Sequence, residues 1–402
     1  MVCTSPERIA SLPNSTRSYL EALIIRFCAQ EDLSTNDPYD IWKTSLGFRV
    51  KKLYNSRPRV GVYPAGVLAL FDTAINNRLR LGYRRSEYPI VRALATLCLL
   101  NLYDKSHHAE LSKYAQQHIR WLLANNSTGY HGLCWGLGVA NAVSKGLVYS
   151  PSTPYSTMTP YALEALVRAS VLFKHAYLEH AITNIFHFFE EDIEVMEQDE
   201  EALATSYTPC RDRTVVNAVS YTMYSYALLL VYLASQERSR IEAKVRKLYA
   251  YVQRSQRADG SWFYSPHGRS FIDCFHSCIV LKNVLKTNKI IRLNGSERLV
   301  SSGYEYVKRA FFDKRHCLFR RFSVSNKPSL ARFDLYDNAE VLNLAFLLGD
   351  RELFQSLLTS VIQHFCRGLD VYSQIDLIGA LRNKNTLRWA VMPFLYAASQ
   401  CC

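Results

Sequence analysis

The sequence predicts an all-α protein folded as an α/α toroid, with about six inner and six outer helices behind an N-terminal extension. Three observations predict it. Helical periodicity runs through most of the 402 residues, while the 13 Pro and 16 Gly collect between the periodic stretches. The helices alternate between apolar all round and amphipathic. The linkers are long at only one of the two kinds of turn. With 49% hydrophobic and 12% aromatic residues the chain can bury a large core, and the composition argues against disorder.

In chain order, residues 1–60 form an extension packed on the barrel, with a helix over 16–30, and Asp37 to Gly47 reads as a turn leading into a further helix. The toroid spans 61–402. A helix over 62–76 precedes the first inner helix, 88–103, where Val91 to Asn101 is apolar almost all round. An outer helix follows at 108–125. Inner helices recur at 159–173, 214–234, 271–286, 336–348 and 385–399, and outer ones lie between them at 176–190, 239–256, 297–312 and 351–366. The stretch Arg240 to Tyr249 shows the amphipathic pattern of the outer set. A helix apolar on every side needs protein on every side, which a ring of inner helices enclosed by an outer ring supplies.

Turns from inner to outer helix are short (Lys105 to His107, Gln236 to Arg238, Gly349 to Asp350). Those from outer back to inner are long (Asn126 to Thr157, Asp192 to Arg213, Ala258 to Ser270, Phe312 to Leu335). All the long ones therefore meet at one end of the ring and build a crater there, where binding residues belong. The acidic run Glu190 to Glu201 reads as a solvated loop.

The N-terminus lacks the pattern of a secretory signal, no apolar run reaches the roughly 18 residues a membrane span needs, and 11 scattered Cys read as reduced thiols; together these predict a cytosolic protein. The formal charge is +13. It points to an anionic partner: an acidic glycan, a sugar nucleotide or the anionic face of an inner membrane. Two clusters carry much of it, Arg78, Arg80, Arg84 and Arg85, and Arg309, Lys314, Arg315, Arg320 and Arg321, read as solvated faces. No nucleic-acid-binding motif frames either, so nucleic acid is not an expected partner.

The richest stretch runs from Gln256 to Cys278. Asp259-Gly260 turns the chain, Trp262 and Tyr264 offer aromatic faces, and His267 and Arg269 add polar groups ahead of the next inner helix. Asp273 and His276, three apart at its start, share a face and supply a carboxylate beside an imidazole, the minimum for acid/base work. Polar or aromatic residues recur at the starts of other inner helices: Tyr161, Asn217, Asp337, Arg388 and Trp389. Trp135 and Tyr155, on the preceding loop, complete the expected lining. Aromatic platforms with converging carboxylates, amides and Arg suit sugar rings, and Arg388 suits a ligand anion. Asp273, His276 and Asp337 are the catalytic candidates and the others bind substrate. No CxxC, HExxH, phosphate-binding loop or dinucleotide fingerprint occurs, so neither a metal nor a cofactor is expected.

Gln256-x-x-x-Gly260-x-Trp262 resembles the QW motif of triterpene cyclases, whose domains are α/α toroids. The Asp-rich D-x-D-D acid of those cyclases is absent, and Asp273 and Cys274 are adjacent where prenyltransferase subunits carry D-x-C. A longer resemblance covers roughly Asp40 to Ser399, on Asp40-Ile-Trp-Lys-Thr-Ser-Leu-Gly47, Trp262-Phe-Tyr, Phe271 to Leu281 and Leu387 to Tyr396. Through these segments the chain is similar to a family of toroid proteins from bacterial exopolysaccharide and lipopolysaccharide gene clusters. The resemblance implies a role in surface-polysaccharide biosynthesis, with Trp262, Tyr264, Asp273, His276, Arg388 and Trp389 at the matching positions. An acid/base enzyme (epimerase, lyase, hydrolase or transferase) acting on a sugar or glycan is the leading expectation; a non-catalytic, membrane-proximal adaptor binding glycan or synthase partners and a prenyl-chain-modifying enzyme are the alternatives.

Overall fold

The computed structural model describes residues 12–267, 270–325 and 329–402. Its helices are α1 (Asn14–Cys28), α2 (Ser45–Ser56), α3 (Pro58–Phe71), α4 (Asn77–Leu79), α5 (Pro89–Ser106), α6 (Ala109–Ala124), α7 (Thr159–Phe173) and α8 (Ala176–His187). There follow α9 (Val216–Leu229), α10 (Ser235–Arg254), α11 (Cys274–Asn288), α12 (Ser296–Phe311), α13 (Leu335–Leu348), α14 (Arg351–Phe365) and α15 (Met392–Ser399).

The inner helices α5, α7, α9, α11, α13 and α15 pack each against the next, and α15 returns to α5, so the ring closes. It closes for the reason their composition gives: α5 and α9 bury nearly every residue of their first three turns and have no polar face to turn to water. Around them α6, α8, α10, α12 and α14 each pack on the inner helix they follow. The sixth outer position is filled from the other end of the chain, by α1 against α5 and α15. Part of the stretch read as an extension thus sits in the outer layer.

Charged side chains fasten that seam. Arg92 of α5 bonds Glu87 and the Glu31 carbonyl, and donates at 2.8 Å to Nδ1 of His118 on α6, whose Nε2 donates to the Cys28 carbonyl ending α1 at 2.7 Å. Burial, with Arg92 adding, lowers the His118 pKa to about 4, so the folded chain holds a neutral ring. The unfolded chain binds a proton there below its ordinary value near 6.5, which makes the folded state lose stability as pH falls from about 6.5 towards 4. Urea midpoints should drop across that interval in the wild type, and less steeply in His118→Gln.

Each inner helix starts, and each outer helix ends, at the same end of the ring, and the long linkers there are ordered by short antiparallel strands. Asn141–Ser144 pairs Leu147–Tyr149, Val195–Gln198 pairs Leu203–Thr205, and Ile272–Asp273 pairs Phe322–Val324. Asp370–Asp376 pairs both Ala331–Asp334 and Leu381–Lys384. These strands correct the expectation of plain loops. The acidic run is one of them in part: Val195–Gln198 lies within it, and Glu190 accepts from Lys244 at 2.6 Å and Arg240 at 2.7 Å.

Candidate active site

Where the long linkers meet, the inner-helix starts enclose a floor of rings and charges. The start of α11 sets its geometry. Asp273 caps the helix, accepting from the His276 N–H at 3.2 Å, and the same carboxylate holds His276 Nδ1 at 2.8 Å. A carboxylate accepts, so Nδ1 is the donor, and in the neutral ring the lone pair stands at Nε2. The Asp273 side chain is buried while that of His276 keeps a fifth of its surface, the disposition of an orienting group behind a working one.

Aromatic faces surround the imidazole. Tyr264 lies 4.6 Å from it and stacks on Phe271 at 4.7 Å. Phe275 turns towards Tyr336 and Trp389. On the facing side Tyr155 packs edge-on against Tyr149 and Tyr207, and Arg213 lies 4.5 Å over Tyr207. The fields of Arg213 and Arg388 both reach Tyr155 and that of Asp273 reaches Tyr264, so these groups converge.

Two arginines flank Trp389. Arg388 bonds Asp37 at 2.6 Å and covers the Tyr88 ring, while Lys43 holds Asp37 at 2.9 Å and Asp40 at 2.5 Å. Burial alone would raise the Asp37 carboxyl, but Arg388 and Lys43 outweigh it and hold it below the usual range. Arg321 lies 5.2 Å from the Phe275 and Trp389 ring centres and donates to Asp337 at 3.1 Å and to Tyr39 at 3.0 Å. Burial pushes Asp337 up to about 8 against the pull of Arg321, and Asp334 and Asp273 add to the rise.

Of the predicted site residues, the fold brings together Asp273, His276, Tyr264, Tyr155, Arg388 and Trp389. Asp337 stands beneath them, fully buried, with its oxygens on the Phe275 N–H and Arg321; it positions the start of α11 and does not reach the mouth. Tyr161 bonds the Tyr221 hydroxyl at 2.5 Å deeper in the barrel, and Asn217 is buried near the start of α9. Trp135 and Trp262 correct the expectation of platforms. They are 0% and 4% exposed, and each indole N–H donates at 2.9 Å to the end of the preceding outer helix, at Leu122 and Val252. Trp262 also seats on Gly303, where a Cβ would stand 3.0 Å from its ring, so both tryptophans anchor loops. His267 pairs with Glu197 at 2.8 Å on an exposed rim, and Arg269 lies outside the described residues.

Reading the sequence missed Asp37, Tyr39 and Lys43, which the segment before α2 lays across the floor, and also Arg213 and Arg321. Arg321 was grouped with a solvated cluster, yet its side chain is only 10% exposed. A single Arg beside Phe322 and opposite Asp334 leaves no periodic signal. Among the described residues, Tyr155 Oη, Asn217 Oδ1, Arg213 Nε and Asp37 Oδ1 are buried polar atoms without a hydrogen-bond partner. Such atoms are costly unless water or a ligand satisfies them. Among the same residues no group of three or more His, Cys, Asp or Glu is placed to hold a metal.

No protein-family model matches the chain, and no curated protein matches it in sequence. Solved structures do match it in shape. A cellobiose 2-epimerase from Spirochaeta thermophila superposes with a TM-score of 0.58 over 97% of each chain at 12% identity. One from Bacillus thermoamylovorans gives 0.60 over 78% of this chain and 87% of its own at 10% identity. A family 76 α-mannanase from Bacteroides thetaiotaomicron gives 0.56 over 79% and 87% at 9% identity. The fold is thus an α/α toroid of the kind found among sugar-processing enzymes.

Proposed function

We propose that the protein is a carbohydrate-active enzyme that moves a proton at a sugar carbon, with His276 Nε2 as the base. One observation carries this: the buried Asp273 carboxylate holds Nδ1 of the partly exposed His276, which in the neutral ring leaves the lone pair on Nε2, among aromatic rings. Rings at Tyr264 and Trp389 suit the apolar face of a sugar, and the Tyr155 hydroxyl suits one of its hydroxyls. Arg388 and Arg213 suit a carboxylate or phosphate on the substrate, as in an acidic glycan or sugar nucleotide.

Among epimerase, lyase, hydrolase and transferase chemistry, this favours epimerisation, isomerisation or β-elimination. Hydrolysis by the usual route needs two carboxyls facing each other across an open cleft. Here Asp37, Asp273, Asp334 and Asp337 are all buried and engaged by Arg, Lys or His. The matching epimerase shapes support the same class. A prenyl-chain substrate is disfavoured, because Tyr hydroxyls, Arg and Asp stand among the Phe and Trp rings of the floor. The resemblance to proteins of surface-polysaccharide clusters supplies the setting: cytosolic assembly of such a polymer, beside the inner membrane.

Proton exchange tests the reading. Reducing sugars, sugar nucleotides and uronate-containing oligosaccharides are incubated with the protein in D2O and followed by NMR. Deuterium should enter at one carbon of a substrate in the panel or, for β-elimination, the signal of a carbon-bound proton should give way to that of an alkene as the leaving group departs. Turnover by hydrolysis alone, with no carbon-bound deuterium, would refute it.

A further inference from the structure

The helix that begins with α3 is built inside out. From Pro58 the chain stays helical through a wide turn at Asp72–Asn76 to Leu79, and the residues it buries include the polar ones, Asp72, Asn76 and Asn77. Asp72 accepts from the Tyr83 hydroxyl, and Asn76 Oδ1 accepts from the Leu81 N–H at 2.7 Å. The outward stripe, at helical spacing, is Val60, Tyr63, Val67, Leu70, Ile75 and Leu79; Tyr63 is 74%, Val67 69% and Leu70 57% exposed.

The stripe is held rigidly. Gly61 lets α3 approach α2 so closely that a Cβ there would stand 2.4 Å from the Tyr54 Cα. On the other side α2 is tied to the strand Asn141–Ser144 by Lys51 to Asn141 at 2.8 Å and Asn55 to the Ala142 carbonyl at 3.3 Å. The charge around the stripe has one sign. Between Ile41 and Ser86 there are ten Lys and Arg and a single acidic residue, the buried Asp72. Arg57 and Arg59 stand exposed at one end of the stripe, and Arg78, Arg84 and Arg85 at the other. Beyond Arg78 and Arg85 the basic rim runs into a cleft of about 1010 Å³ whose lining adds Arg26, Arg367 and Lys384 against one acid, Asp32.

From this we infer that the α2–α3 hairpin docks the protein on an anionic lipid surface, with the apolar stripe in the headgroup boundary and the arginines on lipid phosphates. The site is independent of the crater chemistry. No helix among the described residues is long and apolar enough to cross a membrane, so the hairpin lies on the surface and does not span it. A second copy of the chain is the weaker occupant, because a two-fold contact would press the same basic rim against itself. Residues 29–88 leave α1 and enter α5 at the crater end of the ring, so docking holds that end near the lipid.

Flotation of the full chain with phosphatidylcholine vesicles, with and without phosphatidylglycerol, tests this across a salt series. Binding to the anionic vesicles should exceed binding to phosphatidylcholine by roughly tenfold or more and weaken with salt. Leu70→Asp, and separately the pair Arg57→Gln with Arg59→Gln, should each lose about tenfold or more in binding with an unchanged thermal melt. The charge pair carries the test alone if the first variant misfolds. Val67→Trp should add a blue-shifted emission only with anionic vesicles. Equal binding to both vesicle types, or no binding at all, overturns the proposal. So does a concentration-dependent dimer that Leu70→Asp dissolves in a chain that ignores vesicles.

Discussion

His276→Gln is expected to lower kcat by on the order of 10²–10⁴-fold, the range a positioned general base supplies, with KM changed by less than about threefold. Glutamine has similar reach and can still meet Asp273, but it has no lone pair able to take a proton from carbon. Asp273→Asn separates positioning from capping. Asparagine caps a helix as well as aspartate does, so the melting temperature should stay within a few degrees. Its amide can donate to His276 Nδ1, which moves the ring proton to Nε2 and removes the base. The expected signature is a loss of similar size in kcat, an unchanged melt and retained sugar binding. Steady-state kinetics on whichever sugar exchanges deuterium measures it, and a His276→Gln enzyme keeping more than about a tenth of its kcat would remove His276 from the chemistry.

The contrast between Trp262 and His276 shows what was legible in the sequence. The ring was readable because its helices are apolar all round and their turns unequal, both properties of local sequence. The Asp273–His276 pair was readable because a spacing of three at a helix start fixes a shared face. Trp135 and Trp262 misled because an aromatic residue in a long loop reads alike whether it faces a ligand or plugs a hairpin. Only the bonds to Leu122 and Val252 decide between these. Arg321 and Asp37 were unreadable for another reason. Their burial depends on partners far off in the chain, Asp37 on Arg388 and Arg321 on Asp337 and Tyr39. The sixth outer helix is of the same kind, since only ring closure brings α1 beside α15.

Below the crater floor the barrel axis is filled with charge as well as hydrocarbon, and that sets the largest expected effect on stability. Lys282 of α11 and Glu340 of α13 meet at 2.7 Å, each about 3% exposed, with the ammonium 5.9 Å from the Tyr161 ring centre. Glu340→Leu strands the Lys282 ammonium in the buried axis, beside Lys286 and with Glu164 already held by Lys286 at 2.5 Å, and should cost about 3–5 kcal/mol. Lys282→Met strands the carboxylate at a similar cost. The double variant removes both charges from low dielectric and replaces them with apolar groups of like volume, so it should return to within about 1–2 kcal/mol of the wild type. Urea unfolding of the four proteins measures the cycle, and costs that simply add would show that the pair is not coupled. The double variant also separates two roles for the buried pair. If it serves only to hold α11 against α13, the refolded barrel recovers deuterium exchange along with stability. If its field supports the Tyr161, Tyr221 and Tyr336 hydroxyls beneath the substrate, stability returns and exchange does not.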